Sequence, residues 1–206
     1  KEYGERIYNL LSDEEKERVL KELFDIFSYN NSSKVLSRMN EVDLLNYLFI
    51  ELNLNSKDVL TKAIDKISEL ENFSNNGLLT NNGLKPIVYL EQTLTLDHTK
   101  LAVLKPTLIF YYLSKSIELV NIEKFLKTNT FSYLEQQFIL KQIKLLTNID
   151  FETLKLTRKE LFHYFLKTEK DTIANLTLIY IINSNSSIFT NKVSEVMKIY
   201  FEDKIL

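Results

Sequence analysis

Two histidines supply the first residues whose type and spacing could do chemistry. Glu160 and His163 have the Glu-x-x-His spacing that places both side chains on one helical face, as in di-iron helix bundles. Such a site needs a second pair, and His98 has Thr95 rather than a glutamate three residues before it. We therefore interpret His163 as a surface histidine beside Tyr164 and expect no metal site.

The run Asp97-His98-Thr99 is a second candidate, because it combines an acid, an imidazole and a hydroxyl. Neighbours in sequence rarely face one another, however, and helix capping by Asp97 explains the run more simply. The chain has only three glycines and contains no P-loop, nucleophile elbow or dinucleotide-binding fingerprint. We expect a protein that is not an enzyme and that needs no cofactor.

The aromatic run Phe110-Tyr111-Tyr112 could line a ligand pocket, and Tyr112 is the candidate binding residue within it. The alternative is core packing, because the run lies in KLAVLKPTLIFYYLSKSIEL, residues 100–119, the most apolar stretch of the chain. A helix that is apolar nearly all round is normally buried among other helices. We expect the rest of the chain to be organised around this stretch.

Composition predicts the fold class. The chain has 206 residues, of which 45% are hydrophobic, but only 3 are glycine and 2 are proline. Sheet proteins need turns, and turns use these two residues heavily. We predict an all-α protein of about nine to eleven antiparallel helices stacked as helical hairpins, arranged either like an α-solenoid or as an irregular bundle.

Capping signals and apolar spacing give the expected helix starts. Capping boxes are predicted at three places: Ser12 with Glu15, Ser132 with Glu135, and Thr157 with Glu160. Helices are expected to begin near residues 13, 34, 41, 57, 85, 98, 122, 133, 158, 172 and 192.

Four local details belong to this prediction. Asn40 is expected to cap a helix over residues 41–52, and Ser56 to cap a helix over residues 57–73. Asp97 should cap the helix that begins near residue 98, and Pro106 should break or kink it.

Charge and loop composition suggest how the chain is divided. Residues 1–72 carry 10 Lys/Arg against 15 Asp/Glu, whereas residues 73–206 carry 16 against 13. The Asn/Gly-rich segment 74–84 lies between them. We predict a single all-α domain over 1–206, with 1–73 and 85–206 as candidate sub-domains.

The same composition bounds the partners and the location. Neither half has the dense basic stripe of a nucleic-acid binder, so we expect no direct nucleic-acid binding. No uncharged apolar run reaches about 18 residues, and the charged start KEYGERIYNLL does not resemble a signal peptide. The chain has no cysteine. We therefore expect no membrane association and a cytoplasmic location.

The helix expected over residues 133–146 is the candidate binding surface. In stacked helical hairpins, one helix of each pair lines the inner face. Its apolar residues should anchor one side, namely Leu134, Phe138, Ile139, Ile143 and Leu146. The opposite side offers amides and cations that could hold the carbonyls or carboxylates of an extended peptide: Gln136, Gln137, Lys141 and Lys144. The alternative is that these four side chains are simply solvated.

Residues 123–203 resemble the C-terminal helical-repeat region of the Gram-positive Rgg/MutR-type peptide-pheromone regulators. Two later elements carry part of the resemblance, Lys159-Glu160-Leu161 and the Asn-containing helix Ile173–Asn183. The rest is an aromatic, acidic and apolar pattern: Phe131, Tyr133, Glu135, Phe138, Ile139, Ile143, Leu145 and Leu146. The resemblance implies a dimeric, peptide-responsive regulatory domain separated from its DNA-binding part.

Three functions are carried forward. The first is a non-enzymatic helical module that binds a protein or peptide partner, with a homodimer as one expected assembly. The alternative is a structural scaffold subunit held in a larger assembly by an apolar helix face. A metal-dependent bundle enzyme is the least favoured of the three.

Overall fold

The computed structural model describes residues 10–49, 52, 57–76, 86–129 and 131–202, and in these residues it contains helices and no strand. The all-α prediction is confirmed. The described part has eleven α-helices: α1 (Asp13–Phe27), α2 (Ser32–Glu41), α3 (Leu44–Leu48), α4 (Lys57–Asn76), α5 (Pro86–Leu90), α6 (Lys100–Leu113), α7 (Leu119–Thr128), α8 (Tyr133–Asn148), α9 (Arg158–Thr168), α10 (Thr172–Ile182) and α11 (Ser187–Glu202).

Capping boxes begin two of the long helices as predicted. At α1 the Ser12 hydroxyl accepts from the Glu15 N–H at 3.3 Å, and the Glu15 carboxylate accepts from the Ser12 N–H at 2.8 Å. Ser132 and Glu135 repeat both bonds at α8. The predicted box at α9 is only half formed, because the Glu160 carboxylate accepts from the Lys155 N–H instead.

Helix α6 lies at the centre of the fold, as the apolar stretch predicts. It packs against α1, α4, α5, α8 and α10, and twelve of its fourteen residues are buried. Of the break or kink predicted at Pro106, the break is wrong, because the helix runs through this residue. Packing on all sides holds this turn, and tertiary bonds of Lys105 fix the residue before the proline in its helical position.

A buried ion pair joins α6 to α4. The Lys105 ammonium lies 3.1 Å from the Glu71 carboxylate and donates to the Tyr29 carbonyl at 2.7 Å. Glu71 also accepts hydrogen bonds from the hydroxyls of Ser32 and Ser33 at 2.7 and 2.5 Å. Burial raises the pKa of Glu71, but the two serines and Lys105 outweigh burial, so the pKa lies below its ordinary value. The cluster ties the α1–α2 corner to two central helices.

Three predicted helix starts are wrong. Asn40 lies inside α2 and does not cap the next helix, because its amide donates a hydrogen bond to Thr61 of α4. Helix α3 begins only at Leu44, after Asp43, which has a φ of 62°. The cap of α6 is Thr99 rather than Asp97, since the Thr99 hydroxyl accepts from the Ala102 N–H at 3.2 Å. The last helix, expected from residue 192, begins at Ser187.

The predicted cap at Ser56 and residues 77–84 of the Asn/Gly-rich segment lie outside the described residues, and α4 continues to Asn76.

Two apolar clusters make up the core of the described residues. The larger one surrounds α6 and takes residues from α1–α4 as well as from α5–α8 and α10. The smaller one lies between α9, α10 and α11, and Leu146, Tyr180 and Tyr200 pack against both clusters. Helix α10 contributes buried residues to each. Of the two arrangements predicted, the packing around a central helix is that of an irregular bundle.

Glu71→Ala is expected to lower the free energy of unfolding by about 3–5 kcal/mol, because it leaves the Lys105 ammonium buried without its counter-charge. Urea unfolding followed by circular dichroism measures this. Lys127→Ala removes an exposed ion pair to Glu123 and is the control, with an expected loss within about 1 kcal/mol. Equal losses in the two variants would contradict the central role of the buried pair.

Candidate functional site

A groove of about 890 Å³ lies along one face of α8, and we call it the basic groove. Its far side is formed by the end of α9 and the turn that follows, and its near edge by residues around the start of α6. Sixteen residues line it: Thr93, Leu94, Lys100, Glu123, Leu134, Gln137, Phe138, Leu140, Lys141, Lys144, Leu145, Asn148, Ile149, Lys167, Lys170 and Asp171.

Helical spacing explains how α8 builds one wall of the groove. Gln137, Lys141, Lys144 and Asn148 follow one another at intervals of four, three and four residues, so they share a face. Leu134 lies on the same wall and is 56% exposed, not on an opposite anchoring side as the sequence suggested. The wall therefore combines amides and cations with aliphatic surface.

The lysines of the groove fall into two groups. Lys100 is buried, lies 3.7 Å from the Tyr89 ring centroid and bonds Gln92, while Lys141 is held by two carboxylates. The side-chain ammonium groups of Lys144, Lys167 and Lys170 form no ion pair or hydrogen bond within the described residues. Their ammonium groups are available to an occupant of the groove.

An acidic turn closes the far wall. Lys141 of α8 bonds Glu169 at 3.0 Å and Asp171 at 2.9 Å, which ties α8 to the turn between α9 and α10. Burial lowers the pKa of Lys141, but the hydrogen bonds that its ammonium group donates to these carboxylates outweigh burial and raise the pKa. Glu169 has a φ of 52° and a ψ of −133°, a strained backbone that the two ion pairs help to hold.

Asp171 has one carboxylate oxygen that accepts no hydrogen bond from the described residues. Its side chain is 96% buried and Oδ2 accepts from Lys141, but Oδ1 has no hydrogen-bond partner within the described residues. A buried acceptor without a donor costs about 1–3 kcal/mol. Asp171 lines the groove, but this oxygen is itself fully buried, so its missing hydrogen bond is a feature of the protein interior and not a contact offered to a ligand.

A second set of polar bonds fixes the helices behind the groove. The Tyr164 hydroxyl of α9 donates to Asn175 of α10 at 2.8 Å, and the Asn175 amide donates to Gln142 of α8 at 3.2 Å. Burial raises the pKa of the Tyr164 hydroxyl, so it stays protonated and keeps donating. Helices α8 and α9, which contribute to the groove, and α10 behind them are therefore held in a defined arrangement.

The structure brings together three of the five predicted binding residues. Gln137, Lys141 and Lys144 line the groove, whereas the Gln136 amide donates to the Phe131 carbonyl and lies outside it. Tyr112 is partly buried against the larger cluster and does not line the groove. Burial raises the pKa of Tyr112 to about 12, helped by Tyr111 and Glu69.

Sequence reasoning missed the far wall of the groove. Lys167, Lys170 and Asp171 lie in KTEKD, a charged run at the end of α9, about 20 residues or more beyond the α8 residues that they face. The charge run was a usable local signal, but nothing in it indicates which helix it faces.

The interaction of His98 was missed as well. The His98 Nδ1 atom lies 2.7 Å from Glu135, and Nε2 lies 3.9 Å from Asp25 of α1. Thr95 donates to the same Glu135 oxygen at 3.1 Å. This arrangement joins the loop before α6 to α1 and α8, and it lies beside a second, shallow cleft of about 830 Å³.

The described residues offer no candidate metal site at the predicted histidine and no membrane-spanning helix. His163 is exposed, with its ring 6.1 Å from that of Phe162, and no group of three metal-ligating side chains occurs in the described ranges. Among the described helices, none is both long enough and apolar enough to span a bilayer.

Lys141→Ala is expected to lower the free energy of unfolding by about 1.5–3 kcal/mol, because it removes the charged donor from the buried Asp171 carboxylate. This side chain is therefore not a freely solvated cation. Lys144→Ala, also on α8, is the matched control and should change stability by less than about 0.5 kcal/mol. Thermal and urea unfolding measure both, and similar losses would argue against the bridge.

His98 should make stability depend on pH. The hydrogen bond with Glu135 raises the pKa of His98; burial opposes the shift, and the charges of Glu135, Asp25 and Asp97 support it. The stabilisation is therefore full below the unfolded-state pKa of about 6.5 and disappears as the pH rises through the higher folded-state pKa.

His98→Gln should accordingly cost about 1.5–3 kcal/mol near pH 6 and clearly less near pH 9, as measured by urea unfolding across this range. His163→Gln, which changes an exposed histidine, is the control with no such trend. A constant difference between wild type and His98→Gln at every pH would contradict the assignment.

Comparison with known proteins gives one partial match. A family model described as "Probable RNA and SrmB- binding site of polymerase A" matches residues 5–55. No curated protein and no solved structure matches the chain. The matched segment is about a quarter of the chain, and the matched family is not the peptide-pheromone regulators, whose resemblance to residues 123–203 stays a prediction.

Proposed function

We propose that this chain is a non-enzymatic helical module that binds a protein partner by holding a peptide segment of it in the basic groove. The observation that supports the proposal is the groove itself, which joins an aliphatic surface to three lysines that form no ion pair with the part of the chain that the structure describes. Binding sites for peptides and small ligands commonly combine apolar area with a few polar groups that fix orientation. We propose that the module works in the cytoplasm.

The groove suits an extended peptide. The amides of Gln137 and Asn148 can donate to and accept from a peptide backbone, and Leu134, Leu145 and Ile149 offer apolar contact area for its side chains. The walls are tied together by Lys141 and by the Tyr164–Asn175–Gln142 bonds. A groove that is already formed loses less conformational entropy on binding than a mobile surface.

A second candidate function rests on the family match at residues 5–55. Its description names RNA and SrmB binding, which suggests a separate partner surface near α1 and α2. The matched segment carries 6 Lys/Arg against 10 Asp/Glu. Because its net charge is negative, a protein partner suits this surface better than a phosphate backbone. If the resemblance to pheromone regulators is also real, the groove would belong to a sensing and dimerising domain.

Fewer structural observations support the alternative of a scaffold subunit. Phe162 and Leu166 are both exposed on α9 and are four residues apart, so they share one face. Two side chains fall short of the broad apolar patch that a permanent subunit contact uses. The basic groove therefore remains the better-supported site.

A displayed library of random peptides tests the proposal. Peptides selected on the wild-type protein should bind Gln137→Trp at least about tenfold more weakly, because the indole side chain at this position occupies space in the groove. A tenfold loss of affinity corresponds to about 1.4 kcal/mol. Asn191→Trp adds the same bulk to an exposed position on α11, outside the groove, and should leave affinity unchanged.

Affinities are measured by fluorescence anisotropy with both variants shown to unfold cooperatively. If none of the selected peptides distinguishes Gln137→Trp from Asn191→Trp, the basic groove is not a peptide site and the proposal is rejected.

A further inference from the structure

We infer that the segment held in the basic groove is acidic and aliphatic, with carboxylates that pair with Lys144, Lys167 and Lys170. The inference rests on the proposed function and names the chemistry of its ligand. It follows from charge, from the amides of Gln137 and Asn148 and from the kind of apolar surface in the groove.

Charge is the first argument. Five lysines line the groove against two carboxylates, those of Glu123 and Asp171. Two of the lysines are already occupied, Lys100 by Tyr89 and Gln92, and Lys141 by the acidic turn. The other three leave an excess of positive charge at the rim, and like charges that share a groove favour a ligand of the opposite sign.

The amides of the groove give the second argument. Gln137 and Asn148 line it, and an amide side chain can both donate and accept a hydrogen bond. A peptide backbone offers an N–H donor and a C=O acceptor at nearly every residue, alternating with side chains that can reach the lysines.

The apolar lining gives the third argument. It is almost entirely aliphatic, formed by Leu94, Leu134, Leu140, Leu145 and Ile149. The one aromatic residue among the lining residues, Phe138, is 4% exposed and presents no ring face for stacking. Single-stranded nucleic acids are usually held by exposed aromatic side chains, and phosphates often by arginine, which the lining also lacks. Leucine-like and valine-like side chains match this surface better.

Two synthetic peptide pools test the inference. Both contain peptides of about 12 residues, roughly 40 Å when extended, with random Leu, Ile, Val, Ser and Gly at alternate positions. The acidic pool has Asp or Glu at the other positions, and the amide pool has Asn or Gln there. Anisotropy with labelled pools at low ionic strength should show at least about tenfold tighter binding of the acidic pool.

Charge-removing variants locate the effect. Lys144→Gln with Lys167→Gln should weaken binding of the acidic pool about tenfold and leave binding of the amide pool unchanged. Lys159→Gln with Lys198→Gln removes the same charge from exposed positions outside the groove and should have little effect. All four positions are exposed, so the variants should unfold at the wild-type temperature.

Each contrary outcome has its own meaning. Equal binding of the two pools, with both lost in Gln137→Trp, overturns the acidic ligand but keeps a peptide groove. Loss of neither pool in Gln137→Trp rejects the proposed function itself.

Two other occupants are tested alongside. A labelled oligouridylate of about 12 nucleotides that binds more tightly than the acidic pool, and that loses affinity in the double-lysine variant, would make the groove a nucleic-acid site and overturn the inference. Sedimentation without peptide tests a second copy of the chain: self-association abolished by Lys144→Gln with Lys167→Gln would assign the groove to that copy instead.

Discussion

The burial of Lys105 in the middle of α6 is the constraint on which the rest of the fold depends. A central helix that is covered on all sides leaves an ammonium group no route to water, so charge must be brought to it. Glu71 of α4 supplies that charge, and Ser32, Ser33 and the Tyr29 carbonyl complete the set of hydrogen bonds. Because removal of either charge leaves the other uncompensated, α1, α2, α4 and α6 are held in one arrangement.

Local signals were predictable from sequence because their causes are local. The capping boxes of α1 and α8 depend on residues three positions apart, and the burial of α6 follows from its uniform apolarity. The wrong predictions have tertiary causes. Asn40 lies within α2 because its amide donates a hydrogen bond to Thr61. Pro106 stays within α6 because the packing around it and the bonds of Lys105 outweigh the local preference for a break.

The same distinction between local and tertiary causes applies to the candidate site. The face of α8 could be predicted, since Gln137, Lys141 and Lys144 follow helical spacing. The prediction of Gln136 as a groove residue is wrong, because its side chain is turned about 100° around the helix axis from that of Gln137. What spacing could not show is that Lys141 already has two carboxylate partners and that Lys167 and Lys170 face the same space. Those relations depend on how α9 folds back on α8, which no short-range pattern encodes.

The position of the groove relative to the two apolar clusters has a consequence for motion. One wall of the groove includes Phe138 and Leu140 of α8, which belong to the larger apolar cluster. The opposite wall includes Lys167 and Lys170, which come after residues of the smaller apolar cluster in the sequence. Parts of a protein with separate cores can open separately, and amide hydrogen exchange reports such partial opening. A ligand that touches both walls binds only when both clusters are closed, so its binding energy opposes the opening of either. Amides of α9 and α11 would then exchange more slowly in the complex even though α11 does not line the groove.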